Sequence, residues 1–229
     1  DHIQSMTGEE AFNWLGSEYT SNASVEGLEN IPKDGKFLIV SNHPMGAADA
    51  IALYHQIYPV RNDLFFFANE LFVYLLGAFH ELLAPVVWNK EKETHSANKV
   101  TLERLSVFFG DDRPGIIFPS GRLSKLTFLG LWDRPWEKTP IALAKKYNFP
   151  LIPVYVEGRN SWFFYFASYV NKQLRDISQL NELFNKREKK MSIKIGKPVN
   201  VSTLNDNTDI AIGQMRYRTE SLRKKSVLK

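Results

Sequence analysis

At 229 residues, 44% of them apolar and 13% aromatic, the chain has material for one sizeable packed core and is far from the composition of a disordered segment. It contains no cysteine, which excludes a disulfide framework, a thiolate metal site and a thiol nucleophile, and fits a reducing compartment. Its 29 basic and 25 acidic residues leave a net charge of +4, a modest bias toward anionic partners.

Taken in order, the chain opens on the polar stretch Asp1 to Ser5, which carries no secretory signal. Thr7-Gly8-Glu9-Glu10 reads as a capping box before a short helix through Leu15. Residues 20–36 are polar and turn-rich, and Pro32-Lys33-Asp34-Gly35 feeds the apolar run Phe37-Leu38-Ile39-Val40, a buried strand. A helix from Ala50 to about Tyr58 follows, closed by Pro59. Leu64 to Phe67 reads as a second strand, Glu70 to Phe79 as an apolar helix, and Ala84 to Trp88 as a short strand before the charged loop Asn89 to Thr94. The apolar region from Leu64 to Trp88 is broken by Asn69, Glu70, His80 and Glu81, so it does not read as a membrane span.

Val100, Leu102, Leu105, Phe108 and Phe109 are spaced for a helix over Ser96–Phe109, with Gly110 as its C-cap. Gly115 to Pro119 is a strand; Thr139-Pro140 supplies an N-cap and a first-turn proline for a helix to about Tyr147. Leu151 to Val156 and Met191 to Ile195 are strands, and Asp209 to Lys225 a basic amphipathic helix. Strands alternating with helices predict a single α/β domain with a largely parallel mixed sheet flanked by helices. Within 1–229, a helical segment (1–24) leads into a core (25–200) and a helical tail (201–229).

Three strand ends are chemically loaded. The first is Ser41-Asn42-His43-Pro44-Met45-Gly46-Ala47-Ala48-Asp49. A histidine there can take a proton near neutral pH, and a carboxylate at the start of the next helix can fix its tautomer. The plainer reading is a hydrogen-bonded structural histidine and an aspartate that favours a helix N-terminus. The second is Phe118-Pro119-Ser120-Gly121-Arg122-Leu123-Ser124-Lys125 and the third Glu157-Gly158-Arg159-Asn160-Ser161. Basic side chains beside free amides at loop tips suit a phosphate or carboxylate; an ordinary solvated turn is the alternative. That all three close apolar strands argues against coincidence, and the first of them sits where open α/β sheets usually carry their sites.

Together these residues resemble the PlsC-like glycerolipid (lysophosphatidic acid) acyltransferase superfamily. Asn42-His43, Phe118-Pro119-x-Gly121 and Pro153-Val154 match its signature in order, over roughly residues 25–200. Five residues separate His43 from Asp49 where that signature has four, Ser120 stands in place of Glu, and Arg122-Leu123 replace Thr-Arg. These departures resemble the hemolysin-like or ornithine-lipid branch, with its His-Pro-x-Gly-x-x-Asp, its Phe-Pro-x-Gly-x-x-Ser loop and its Gly-Arg-Asn-Ser. That branch often has an acidic residue where Arg122 stands.

The resemblance implies a fatty acyl chain moving from an acyl thioester, acyl-ACP or acyl-CoA, to a hydroxyl of a lyso-lipid. Lysophosphatidic acid (1-acyl-glycerol-3-phosphate) and a lyso-aminolipid are both open as acceptor. It implies His43 as general base, Asp49 as its orienter, and no tightly bound cofactor and no metal. Backbone amides near Gly121 or Gly46 are candidates for the oxyanion. Arg122, Lys125 and Arg159, with Ser120, Gly121 and Asn160, are candidates for binding the head group or the donor's phosphates. A lipid acceptor implies a cytoplasmic protein peripheral at a membrane. Candidate contacts there are Trp162 to Phe166, the run Lys186-Arg187-Glu188-Lys189-Lys190, and Arg223 to Lys225. Three rivals are a catalytically inactive lipid-binding protein of the same fold, a serine hydrolase using Ser120 or Ser124, and a nucleic-acid module. The hydrolase lacks a Gly-x-Ser-x-Gly elbow. The charge is too small and undirected for nucleic acid.

Overall fold

Phe37 to Val40 can be apolar at every position only if the strand is covered on both faces, and it is. In the computed structural model, which describes residues 6–69, 77–86, 95–128, 130–170, 178, 181–187 and 189–223, the side chains of this run divide by alternation. Phe37 and Ile39 enter one core cluster, Leu38 and Val40 the other. Leu64 and Phe66 against Phe65 and Phe67 repeat the same division.

The strands are β1 (Ala23–Glu26), β2 (Leu38–Ser41), β3 (Phe65–Asn69), β4 (Leu83–Val86), β5 (Gly115–Ile117), β6 (Lys125–Thr127), β7 (Gly130–Trp132), β8 (Leu151–Glu157) and β9 (Met191–Ile195). Helices are α1 (Gly8–Tyr19), α2 (Ala47–Ile57), α3 (His95–Gly110), α4 (Thr139–Tyr147), α5 (Trp162–Val170) and α6 (Thr208–Ser221). The main sheet has seven strands in the order β1-β9-β8-β2-β5-β3-β4. All neighbours are parallel except β8 and β9, so the sheet is mixed but largely parallel. β6 and β7 form a separate antiparallel hairpin. One core cluster holds Phe12 of α1 and Ile51 to Tyr54 of α2; the other holds Phe108, Ile141 and Met215 of α3, α4 and α6. The result is a single α/β domain with helices on both faces.

Most elements fall where the sequence places them, and the differences have local causes. The capping box forms as expected, with Glu10 N–H on Thr7 Oγ1 at 3.2 Å and Thr7 N–H on Glu10 Oε2 at 2.9 Å, but α1 runs on to Tyr19. The polar stretch after it contains β1, half-exposed at the sheet edge. Gly110 is the last residue of α3, and the chain turns instead at Asp112, at φ 55°. Thr139 is the first residue of α4 rather than its cap: Lys138 precedes it with helical backbone angles and Pro140 falls in the first turn. β3 runs from Phe65 to Asn69, and Gly77–Leu82 is a 3-10 turn. The rest of the helix expected from Glu70, together with Trp88, Asn89 to Thr94, Lys224 and Lys225, lies outside the described residues.

α1 crosses α2 at Gly16. Alanine is ordinarily favoured over glycine inside a helix by about 1 kcal/mol. Here a Cβ on Gly16 would lie 2.2 Å from His55 Cβ, an atom fixed close to the α2 backbone. Overpacking of this kind costs about 1–3 kcal/mol. Gly16→Ala should therefore lower the midpoint of urea unfolding, not raise it.

Candidate active site

β8, β2 and β5 are adjacent and mutually parallel, so the loops that follow them emerge at one edge of the sheet. These are the three loops singled out above. Asn42 continues the ladder by one residue with its side chain. Nδ2 donates to Val156 O at 2.8 Å and Oδ1 accepts from Val156 N–H at 2.7 Å, which ties the end of β2 to β8.

His43 comes next, with its backbone gripped from the far side. Its N–H donates to Asp133 Oδ1 at 3.2 Å, and its carbonyl accepts from Ser124 N–H at 2.8 Å. Pro44 and Met45 lead to Gly46, at φ 81° and ψ −132°, a conformation essentially confined to glycine. That turn starts α2 and places Asp49 in its first turn, pointing back. Asp49 Oδ2 accepts from Met45 N–H at 2.8 Å and Gly46 N–H at 3.0 Å, and lies 3.0 Å from His43 Nδ1. The Asp49 side chain has no exposed surface. The His43–Asp49 contact is close but bent, because Oδ2 lies off the direction of the ring N–H. Nδ1 is fully buried, yet the imidazole keeps 19% of its surface exposed, so its accessible side is the Nε2 side. Phe118 stacks on the ring at 4.0 Å between centroids and 22° between planes. A histidine held this way can accept a proton from a hydroxyl that approaches Nε2.

The second loop is a tight turn. Ser120 is buried and its hydroxyl donates to Arg122 O at 2.8 Å, while Gly121 N–H donates to Phe118 O at 2.9 Å. Gly46 N–H is likewise engaged, on Asp49. The Gly46 and Gly121 amides themselves are thus used within the chain, so the oxyanion candidates narrow to neighbouring amides of the two turns. Arg122, and Lys125 at the start of β6, are exposed.

Asp133 is the residue that sequence reasoning missed. It is half-buried behind the His43 loop, and its Oδ1 accepts from the Ser124 hydroxyl as well as from the His43 amide. Oδ2 accepts from Trp136 Nε1–H at 3.0 Å. Burial pushes its pKa above the usual aspartate value, against the pull of the Ser124, Trp136 and His43 donors. Arg216 of α6 donates to Asp133 O at 3.0 Å.

In the third loop Arg159 is exposed and Asn160 is 2% exposed. Asn160 and Ser161 turn inward onto a buried ion pair. Lys186 Nζ donates to Glu182 Oε2 at 3.1 Å, Asn160 Oδ1 at 2.8 Å and Arg159 O at 3.0 Å. Ser161 donates its amide to Glu182 Oε2 at 2.9 Å and its hydroxyl to Glu182 Oε1, and its oxygen caps α5 at Phe164 N–H, 3.1 Å away. Lys186 is fully buried, so it is not the membrane contact that the basic run suggested. Burial pushes its pKa down, opposed by Glu182. Burial would raise the Glu182 pKa, but the Ser161 hydroxyl and amide and the Lys186 ammonium outweigh it, and the net direction is down. Among the described residues no cluster of His, Asp and Glu could hold a metal ion.

Residues 10–229 match the family model described as Acyltransferase. The chain belongs to the acyltransferase family. It is 31% identical over 186 residues to a lyso-glycine lipid O-acyltransferase of Phocaeicola vulgatus, a match that covers 78% of this chain and 64% of that protein. A lyso-glycine lipid O-acyltransferase of Bacteroides thetaiotaomicron is 32% identical over 186 residues, covering 78% of this chain and 66% of the relative. The match thus spans somewhat less than two thirds of these relatives' length. The fold is similar to the crystal structure of the 1-acyl-sn-glycerophosphate (LPA) acyltransferase PlsC from Thermotoga maritima. That likeness has a TM-score of 0.55 at 21% identity, over 94% of this chain and 75% of that one.

The Glu182–Lys186 pair makes a test of how the chain holds its third loop. Removing one partner of a buried pair costs about 3–5 kcal/mol, so Glu182→Gln should lose stability of that order in denaturant unfolding at neutral pH. Glu182 has a depressed folded pKa, so its contribution is present above the ordinary glutamate range and is lost as pH falls through the folded value. The stability difference between parent and Glu182→Gln should accordingly shrink on acidification, measured as unfolding midpoints against pH.

Proposed function

We propose that the protein is a lyso-lipid O-acyltransferase that moves a fatty acyl chain from an acyl thioester to a lyso-lipid hydroxyl. The observation that carries this reading is the His43–Asp49 pair: a buried carboxylate 3.0 Å from Nδ1 of an imidazole whose Nε2 side is accessible. The acceptor hydroxyl gives its proton to His43 Nε2 as its oxygen bonds to the thioester carbon. The tetrahedral intermediate then expels the thiolate, which takes the proton back from the imidazolium, leaving an ester and a free thiol. Asp49 holds the ring and stabilises its charge without being protonated itself. No step calls for a covalent acyl-enzyme or a metal.

The acceptor on this reading carries an anionic head group. The names of the two curated relatives favour a lyso-glycine lipid, and a lyso-phospholipid such as 1-acyl-glycerol-3-phosphate is the alternative. Arg122, Lys125 and Arg159 are exposed at the rim, and on this reading they meet the head group or the phosphates of an acyl-ACP or acyl-CoA donor. Ser120, Gly121 and Asn160 shape the turns that carry them. His43→Ala should keep the fold and lower kcat for acyl transfer to a lyso-lipid by about 10²–10⁴-fold. Asp49→Asn should lower it too, while retaining one oxygen for the Met45 and Gly46 amides. Full activity in a folded His43→Ala protein would refute the mechanism.

A bilayer-resident acceptor requires a membrane contact, and no helix among the described residues is long and apolar enough to cross a membrane. The reading is therefore a peripheral protein at the cytoplasmic face. Of the aromatic run, Phe164 is buried, but Trp162, Phe163 and Phe166 of α5 are 71%, 66% and 67% exposed. These rings are the contact proposed here. Burying one such side chain is worth about 1.5–3 kcal/mol. Trp162→Ser with Phe166→Ser should thus reduce co-sedimentation with anionic phospholipid vesicles by about tenfold or more for each ring.

A further inference from the structure

Beside the His43 loop lies a cleft of about 440 Å³ that the proton-transfer steps do not use. Met45, Trp162 and Met191 form apolar wall, and Arg159, Lys189 and Lys190 line it with cationic side chains. Arg159, Lys189 and Lys190 have no carboxylate within ion-pair distance among the described residues, whereas the buried Lys186 at the cleft floor is already matched by Glu182. One further group there lacks a partner. Asn160 lines the cleft at 2% exposure, and its Nδ2 is buried with no hydrogen-bond acceptor among the described residues. Its Oδ1 is fixed by Lys186 Nζ at 2.8 Å, so the amide cannot trade ends and Nδ2 remains a donor. A buried donor without an acceptor is costly, and three unmatched cations beside it specify what relieves that cost: an anionic oxygen. The cleft also touches the reacting centre, since the Met45 amide donates to Asp49 Oδ2.

We infer that this cleft is an anion subsite for a carboxylate or phosphate of one of the two substrates, gripped by Arg159, Lys189, Lys190 and Asn160 Nδ2, with the adjoining part of the substrate against Trp162 and Met45. The inference rests on the acyl-transfer reading and joins Lys189 and Lys190, which the sequence reading placed at the membrane, to Arg159 and Asn160, which it named as binding candidates. The anion belongs either to the acceptor's head group or to the donor's phosphates, and the two are separable by experiment.

The test compares the full chain with Lys189→Gln/Lys190→Gln and with the control Lys145→Gln/Lys146→Gln, whose exposed lysines lie at the opposite end of β8. Calorimetric binding is measured for coenzyme A, a short-chain N-acylglycine lyso-lipid and a short-chain lysophosphatidic acid. KM is measured for donor and acceptor separately. In Lys189→Gln/Lys190→Gln, Kd and KM for one substrate should rise at least tenfold, with kcat and the other KM changed less than twofold. A shift confined to the lyso-lipids assigns the cleft to the acceptor, and one confined to coenzyme A and the acyl thioester to the donor. A methyl-ester lyso-lipid should lose the dependence in the first case. Unchanged Kd for all three probes, or an equal change in the control, overturns the subsite. Anion binding that depends on Lys189 and Lys190 in a protein that transfers no acyl group would instead refute the acyl-transfer reading and leave the subsite standing.

Discussion

A carboxylate with no exposed surface must be satisfied by the chain around it, and Asp49 is satisfied almost entirely through one atom. Its Oδ2 takes the amides of Met45 and Gly46 and faces His43 Nδ1. That atom therefore fixes where α2 begins, how the preceding loop closes and which face of the imidazole is turned inward. The negative charge is further favoured by its place in the first turn of α2. Structural and chemical readings of Asp49, which compete when only the sequence is considered, are here the same set of contacts. Between His43 and Asp49 the chain turns at Gly46, whose backbone angles other residues do not tolerate.

The inner side of His43 is thus set locally, but its backbone is held from across the chain. Asp133, ninety residues away, accepts the His43 amide, and Ser124 both donates to the His43 carbonyl and bonds Asp133. Asn42 fastens the other side to β8. Arg216 draws α6 onto the Asp133 backbone, so the last described helix also bears on the site. The position of the ring depends on four separate segments brought to one sheet edge. On the proposed mechanism, this arrangement lowers the cost of ordering the base at the moment of reaction.

What was legible in the sequence follows from what is local. Strands buried on both faces announce themselves as continuous apolar runs, and Phe37–Val40, Gly115–Ile117 and Leu151–Val156 did so. The three loaded loops were legible because Pro and Gly punctuate them beside polar side chains. β1 was not, because an edge strand exposed at alternate positions has the composition of a loop. The antiparallel turn of β9 onto β8 leaves no local mark in Met191–Ile195. Asp133 was missed because its partners are distant in sequence, and nothing in Trp132-Asp133-Arg134 distinguishes it from a solvated aspartate. Lys186 was misread for the converse reason: a basic run looks like a surface contact, and only the partner four residues earlier, together with the Asn160 loop, explains why one member is buried.

The buried Glu182–Lys186 pair is weak evidence for stability as such, since a well-packed apolar pair of similar volume would serve as well or better. Its effect is positional. An apolar replacement could not receive the Ser161 amide and hydroxyl or donate to Asn160 and the Arg159 carbonyl. Those bonds turn two consecutive polar side chains inward and leave the third, Arg159, outward, while Gly158 lets Met45 approach to where a Cβ would lie 2.4 Å from its sulfur. The Gly-Arg-Asn-Ser stretch therefore divides its work by burial. Glycine admits the His43 loop, asparagine and serine anchor the turn to the pair beneath it, and arginine is left exposed. A charge buried under the loop is what keeps another charge available above it.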